Sequence, residues 1–127
     1  MDYESTAAVI DTGEYSIKAG YVGDEEPREI FPTLVGRPKS DLLTGAEGTD
    51  TAYYGENAKN RQAVLKLSNP INEGLVTNWE DMENMWRHTF DNELRVSSDE
   101  INVLLTGVPY GSKDDLEKMA KFMFEDL

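Results

Sequence analysis

The chain has 127 residues, enough for one domain with a real hydrophobic core, and its 25 acidic against 12 basic side chains leave a net charge of −13. Such a surface repels duplex nucleic acid, and reads either as a plain solvated acidic face or as one that receives basic protein segments. With no cysteine, the single histidine His88, no apolar run near the ~20 residues that span a bilayer and no signal-peptide pattern in MDYEST, the sequence excludes disulfides and zinc clusters and favours a soluble intracellular protein.

Residues 7–10 predict a strand, Thr12, Gly13 and Glu14 a tight turn in which Gly13 supplies permissive backbone, and residues 15–22 a returning strand. On the second strand Ser16, Lys18 and Gly20 share one face, and Ile17, Ala19 and Tyr21 the other. This opening stretch, AAVIDTGEYSIKAGYVGD, reads either as half of a phosphate clamp or as a plain hairpin. A third strand is expected at 29–31, closed by Pro32.

Residues 33–69 are rich in Gly, Asp, Thr and Asn, and 40–50 predict an exposed, mobile loop. Its large apolar residues, Leu42 and Leu43, either pack on the base of the loop or form a docking knob. A short helix is expected at 56–62 and a strand at 64–67.

Asn78 is a good helix N-cap, followed by Glu80, Asp81 and Glu83 in the first turns, where carboxylates favour the helix dipole. Trp79, Met82, Met85, Trp86 and Phe90 recur at three- and four-residue steps, which predicts a helix of roughly four turns with one core-facing stripe. INVLLTGVP (101–109) suits a strand covered on both faces. Ser112 and Asp115 resemble a capping box, and Leu116, Met119, Ala120, Met123 and Leu127 continue as an apolar stripe. Two helices and a doubly covered strand ask for more cover than 127 residues provide, so a partner or a longer chain is expected to supply it. No Ser–His–acid set is visible, and the acid pairs Glu80-Asp81 and Asp114-Asp115 read as helix-start charges, so no catalytic residue is assigned.

Several motifs, taken in order, resemble actin and the actin-related proteins. VIDTG…KAGYVGD resembles the family's first phosphate hairpin, FPTLVGRP the approach to its small subdomain, and YYGENA the strand and helix that close it. NPINEGLVTNWEDMENMWRHTFDNELRV, VLLTGVP and EKMAKFMFEDL resemble the stretches that follow. The resemblance spans essentially the whole chain. It implies an α/β protein with the actin-like ATPase fold, related to ribonuclease H, a mixed sheet with flanking helices, present in part. Residues 1–32 and 70–127 would belong to subdomain 1, and 33–69 to subdomain 2, with 40–50 inserting into a neighbouring protomer.

The resemblance implies ATP or ADP with Mg2+ or Ca2+ as cofactors. Asp11, Thr12, Gly13, Glu14, Tyr15 and Lys18 would hold them. Backbone amides of a turn converge on one anion, and the Lys18 ammonium adds a compact charge. Asp11 would approach the metal through water. It also implies actin-type protomers or other actin-binding proteins as partners, with basic segments received at Asp24, Glu25, Asp99 and Glu100. Nucleic acid and membrane are not expected. The implied compartment is the cytoplasm and cytoskeleton, with the nucleus as an alternative.

Four positions depart from conventional actin. Glu14 and Tyr15 replace a serine and a glycine, and nuclear actin-related proteins share a tyrosine at the second. A carboxylate about 5 Å from a phosphate opposes binding by about 3 kcal/mol at an effective dielectric near 20, roughly a hundredfold in affinity. Weakened or altered nucleotide binding is therefore expected. Thr44 replaces a methionine in the protruding loop, and Glu73 replaces a histidine that is commonly methylated. Two functions compete: an ATP-binding cytoskeletal protein, and a divergent scaffold subunit with weak or no turnover. A short actin-like protein that caps or joins a filament is a third.

Overall fold

The computed structural model describes residues 7–39, 51–107 and 112–126. β1 (Ala7–Thr12) and β2 (Ser16–Tyr21) pair antiparallel, with Ala8 opposite Tyr21 and Thr12 opposite Ile17. Side chains alternate across a strand, so Ala8, Ile10, Thr12, Ile17 and Ala19 are buried together while Asp11 and Lys18 share the other face. β3 (Glu29–Pro32) pairs with β2 and brings Phe31 into the core.

A second sheet follows. β4 (Val35–Pro38) lies between β5 (Tyr53–Tyr54) and β6 (Leu65–Ser68), antiparallel to both, with helix α1 (Glu56–Asn60) after β5. Gly36 on β4 leaves room for side chains packed over it; a Cβ there would sit 2.8 Å from the Leu65 side chain and 3.3 Å from Ala58 Cβ. β7 (Ile71–Asn72) and β8 (Leu75–Val76) form a small hairpin around Glu73 and Gly74.

Helix α2 (Trp79–His88) starts where the sequence predicts, with the Asn78 side chain accepting from the Asp81 amide at 3.0 Å. It runs into a π-helical turn, Thr89–Leu94, so the helical stretch has close to the predicted length. Met82, Met85, Trp86 and Phe90 are fully buried against the first sheet. A 3-10 turn, Ser98–Glu100, leads into β9 (Asn102–Thr106), which lies parallel beside β1 and completes the order β3-β2-β1-β9. Helix α3 (Lys113–Lys121), capped by Ser112, ends in a π turn, Phe122–Asp126.

Two expectations are corrected. β9 is not covered on both faces: Val103 and Leu105 pack on the core, while Leu104 is 53% exposed beside Val9. One face of the mixed sheet is thus open along Val9, Asp11, Lys18 and Leu104. The α3 stripe also differs. Leu116 and Ala120 are exposed, and Phe122 is the fully buried residue, its ring 5.6 Å from that of Trp86. Phe122 lies three residues after Met119, so both meet the core from one face.

The small sheet is fastened to α2 at two points, Arg37 and Tyr54. Arg37 on β4 reaches Asp81 in a two-pronged ion pair of 2.7 and 3.1 Å. Tyr54 on β5 stacks near His88, and Phe31 meets the same ring edge-on. His88 itself pairs with Glu93 of the π turn at 2.8 Å. Burial, and next the Asp81 charge, raise the Tyr54 phenol above its ordinary value. Its contribution to stability is therefore complete below about pH 10, the unfolded value, and fades as pH rises through the higher folded value. Alkaline unfolding of Tyr54→Phe should lack that component, measured as the urea midpoint against pH.

Candidate functional site

The bend between β1 and β2 is held from several sides. The Gly13 amide donates to the Ser16 carbonyl at 3.0 Å, and the Gly13 carbonyl accepts from Thr33 Oγ1 at 2.7 Å. The Thr33 amide donates to the Tyr15 carbonyl at 3.2 Å. A Cβ on Gly13 would stand 2.9 Å from the Ser16 carbonyl oxygen, so the closeness of the turn requires glycine. The Glu14 carbonyl accepts from Asn69 Nδ2 at 2.6 Å, and Glu14 Oε1 accepts from the Gly74 amide at 3.1 Å. Tyr15 projects outward, 84% exposed. Among the described residues, no acceptor takes the amide of Glu14 or Tyr15.

Thr12 points the other way. Its side chain is buried and accepts from Trp86 Nε1 at 3.0 Å. Of the six residues singled out in the sequence, Thr12 can therefore offer the site only its backbone.

Asp11 and Lys18 stand directly opposite each other in the β1–β2 register, both on the open face. Thr106 at the end of β9 donates to Asp11 Oδ1 at 3.2 Å. Lys18 is exposed and has no ion-pair partner among the described residues. A groove of about 350 Å3 runs along this face past Val9, Asp11, Lys18 and Gly20 to the loop at 22–27. The arrangement puts an available ammonium and two unclaimed amides at one end of the sheet, beside an anchored carboxylate. That is an anion-binding set with an adjacent place for a cation.

Thr106 and Gly107 were not found from the sequence. The signal was present: IDTG and LLTG are both apolar strands ending in Thr-Gly, and the parallel register sets Asp11 beside Thr106. Gly107 has φ +70, and a Cβ there would collide with Asp11 Oδ1 and come within 3.0 Å of the Thr12 carbonyl. Gly107→Ala is thus expected to displace the Asp11 carboxylate and destabilise the fold by about 1–3 kcal/mol, as overpacking does. Urea unfolding checks the second effect, and the Thr106–Asp11 hydrogen bond in a structure of the variant the first.

The acidic residues expected to receive basic segments lie at the opposite end. The 22–27 loop follows β2 where it pairs with the start of β1, and the 98–100 turn precedes β9 at the same edge. Glu25, Asp99 and Glu100 are exposed. Asp24 is engaged locally: the Tyr21 amide and the Arg28 guanidinium hold its carboxyl below the usual carboxylate value. Residues 40–50, with Leu42, Leu43 and Thr44, lie outside the described residues, as does Leu127.

A family model described as Actin matches residues 2–127. The chain belongs to the actin family. Its mixed sheet and helices fit part of the actin-like α/β fold. Actin-family proteins generally bind a nucleotide with a divalent cation, and their partners are actin-type protomers or actin-binding proteins. No helix among the described residues of this actin relative is long and apolar enough to cross a membrane.

Proposed function

We propose that this actin-family chain supplies one wall of a nucleotide-phosphate site in an ATP-binding protein that assembles with actin-type protomers. In this reading the amides of Glu14 and Tyr15 and the ammonium of Lys18 take phosphate oxygens. Asp11, held by Thr106, meets the nucleotide's Mg2+ or Ca2+ through water. The cation would screen phosphate charge; the chain's own part is to present fixed donors on a bend that Thr33 and Asn69 hold still. The observation that carries the reading is Lys18, unpaired among the described residues and in register opposite Asp11 at the end of the sheet that the bend caps. Residues 33–69 then form subdomain 2, and 1–32 with 70–127 subdomain 1. Basic protein segments would meet Glu25, Asp99 and Glu100 at the far end, in the cytoplasm and cytoskeleton.

Titration with fluorescent ATP and Mg2+ tests this. A charge-assisted hydrogen bond is worth about 1.5–3 kcal/mol, so Lys18→Ala should weaken binding by about 10- to 100-fold. Unchanged binding in Lys18→Ala would remove the lysine from the site. Pelleting in magnesium and salt tests assembly.

The second reading, an actin-related scaffold subunit with weak or no turnover, draws on Glu14. Its carboxylate stands where conventional actin has a hydroxyl, and it is occupied with Gly74. A full-length protein that neither binds ATP nor pellets, yet remains folded, would favour this scaffold reading.

A further inference from the structure

Residues 95–101 arch over the surface between the π turn that follows α2 and the start of β9. The arch is pinned at both ends. The Val96 amide donates to the Phe90 carbonyl at 3.0 Å, and the side chains of Val96 and Ile101 pack on the core. Between the pins Ser97 is exposed. Its Oγ accepts the Asp99 amide at a long 3.3 Å, and its own proton meets no acceptor among the described residues. Asp99 and Glu100, two and three places further on, are exposed as well. Arg95 leans back along the π turn, its Nε donating to the Asn92 carbonyl at 3.4 Å. The two nearest competitors are placed differently. Ser98 is half-buried along a groove with Val103 and Met123. Ser112 has acids at the same spacing, Asp114 and Asp115, but its Oγ caps α3 on the Asp115 amide at 3.2 Å and Lys113 follows it directly.

We propose that Ser97 is a phosphorylation site for a serine kinase whose substrate groove is basic where it meets Asp99 and Glu100. Kinases choose substrates by such charge patterns, and here hydroxyl and carboxylates are presented together without unfolding. The kinase brings ATP with Mg2+. Ser97 Oγ forms a bond to the γ-phosphorus, the bond from that phosphorus to the oxygen bridging the β-phosphate breaks, and ADP leaves. The hydroxyl proton passes to a base of the kinase. The product gains about −1.5 to −2 of charge. It does so on a stretch, 95–100, that already carries two acids and one base. The exposed hydroxyl supports no core packing, so the fold tolerates the change. The acidic end of the sheet is altered, and basic segments are held there more tightly, a consequence that rests on the reading of this end as their receiver. The site itself is independent of the nucleotide reading.

The full chain is incubated with an acid-directed serine kinase and labelled ATP with Mg2+, and the modified residue is read by mass spectrometry. Label is expected on Ser97, is absent there in Ser97→Ala, and stays within about threefold of wild type in Ser98→Ala. Replacing both carboxylates, Asp99→Asn with Glu100→Gln, should lower kcat/KM for labelling by about tenfold or more, and Arg95→Ala should not lower it. Unchanged urea midpoints show that these surface variants remain folded. Label on Ser98 or Ser112 in place of Ser97 overturns the assignment. So does a folded chain that takes no label, whether or not an isolated peptide of residues 92–104 is labelled. Labelling that survives loss of both acids but fails in Arg95→Ala overturns the acid-directed reading in favour of a base-directed kinase. The phosphorylated chain should also bind a short oligolysine about threefold or more tightly than the unmodified chain at low salt, a gain that shrinks as salt rises. Equal affinity overturns the consequence for basic partners and leaves Ser97 as the acceptor.

Discussion

Trp86→Ala should be the most damaging single change in the described core, costing about 3–5 kcal/mol. Trp86 is fully buried, its ring 5.6 Å from Phe122 and 6.4 Å from Trp79, so truncation opens a cavity between α2 and the π turn that follows α3. It also removes the N–H that Thr12 Oγ1 accepts at 3.0 Å inside the core. A domain of this size is stable by about 5–15 kcal/mol, so the loss is a large part of the whole. Trp86→Phe separates the two effects. It keeps most of the ring volume and removes the donor, which should cost about 1–3 kcal/mol. The hydrogen bond has a second consequence, because Thr12 is the last residue of β1 before the bend. Losing its anchor should loosen Gly13 and Glu14, so folded Trp86→Phe is expected to bind ATP more weakly than wild type. Urea midpoints for both variants and ATP titration of the second check this; equal destabilisation by both would refute the split between cavity and hydrogen bond.

The hairpin, the N-cap at Asn78 and the core stripe of α2 were legible because each depends on neighbours in sequence. Alternation placed Lys18 on one face with Ser16 and Gly20, and the hairpin register, which alternation does not fix, sets Asp11 opposite it. What escaped the sequence was fixed by distant partners. Thr106 reaches Asp11 across 95 positions, and Trp86 reaches Thr12 across 74. Glu14 is the sharpest case. Its charge is visible in the sequence, but its direction is set by Gly74, and no local pattern announces that contact. β4, β5 and the β7–β8 hairpin are two to four residues long, too short for periodicity to mark. Phe122 was passed over for Leu116 and Ala120 because an apolar stripe does not say which of its members a π turn will carry into the core.

Arg37→Met should destabilise the protein by about 2–4 kcal/mol, although Arg37 is itself largely a surface residue. The reason is its partner. The Asp81 side chain is only 3% exposed, whereas that of Arg37 is 44% exposed. Removing the guanidinium leaves a carboxylate in the seam between the small sheet and α2, with the Asn78 side-chain amide donating to it at 3.1 Å. A buried charge without its counter-ion is more damaging than the intact pair is stabilising, and the exposure of Arg37 keeps the effect below that of a fully buried pair. Arg37→Lys is not a rescue, because an ammonium cannot reproduce the two parallel bonds of 2.7 and 3.1 Å. Asp81→Asn with Arg37→Met removes both charges, and this double variant should be more stable than Arg37→Met alone. Because Arg37 lies on β4 and Asp81 on α2, the single change should also loosen the small sheet relative to the first. Amide exchange in β4 and β6 should then rise more than in β1 and β2, which the hairpin and the core hold independently of this pair. Uniform acceleration across both sheets would show that Arg37 and Asp81 support global stability and do not act as a clamp between the two sheets.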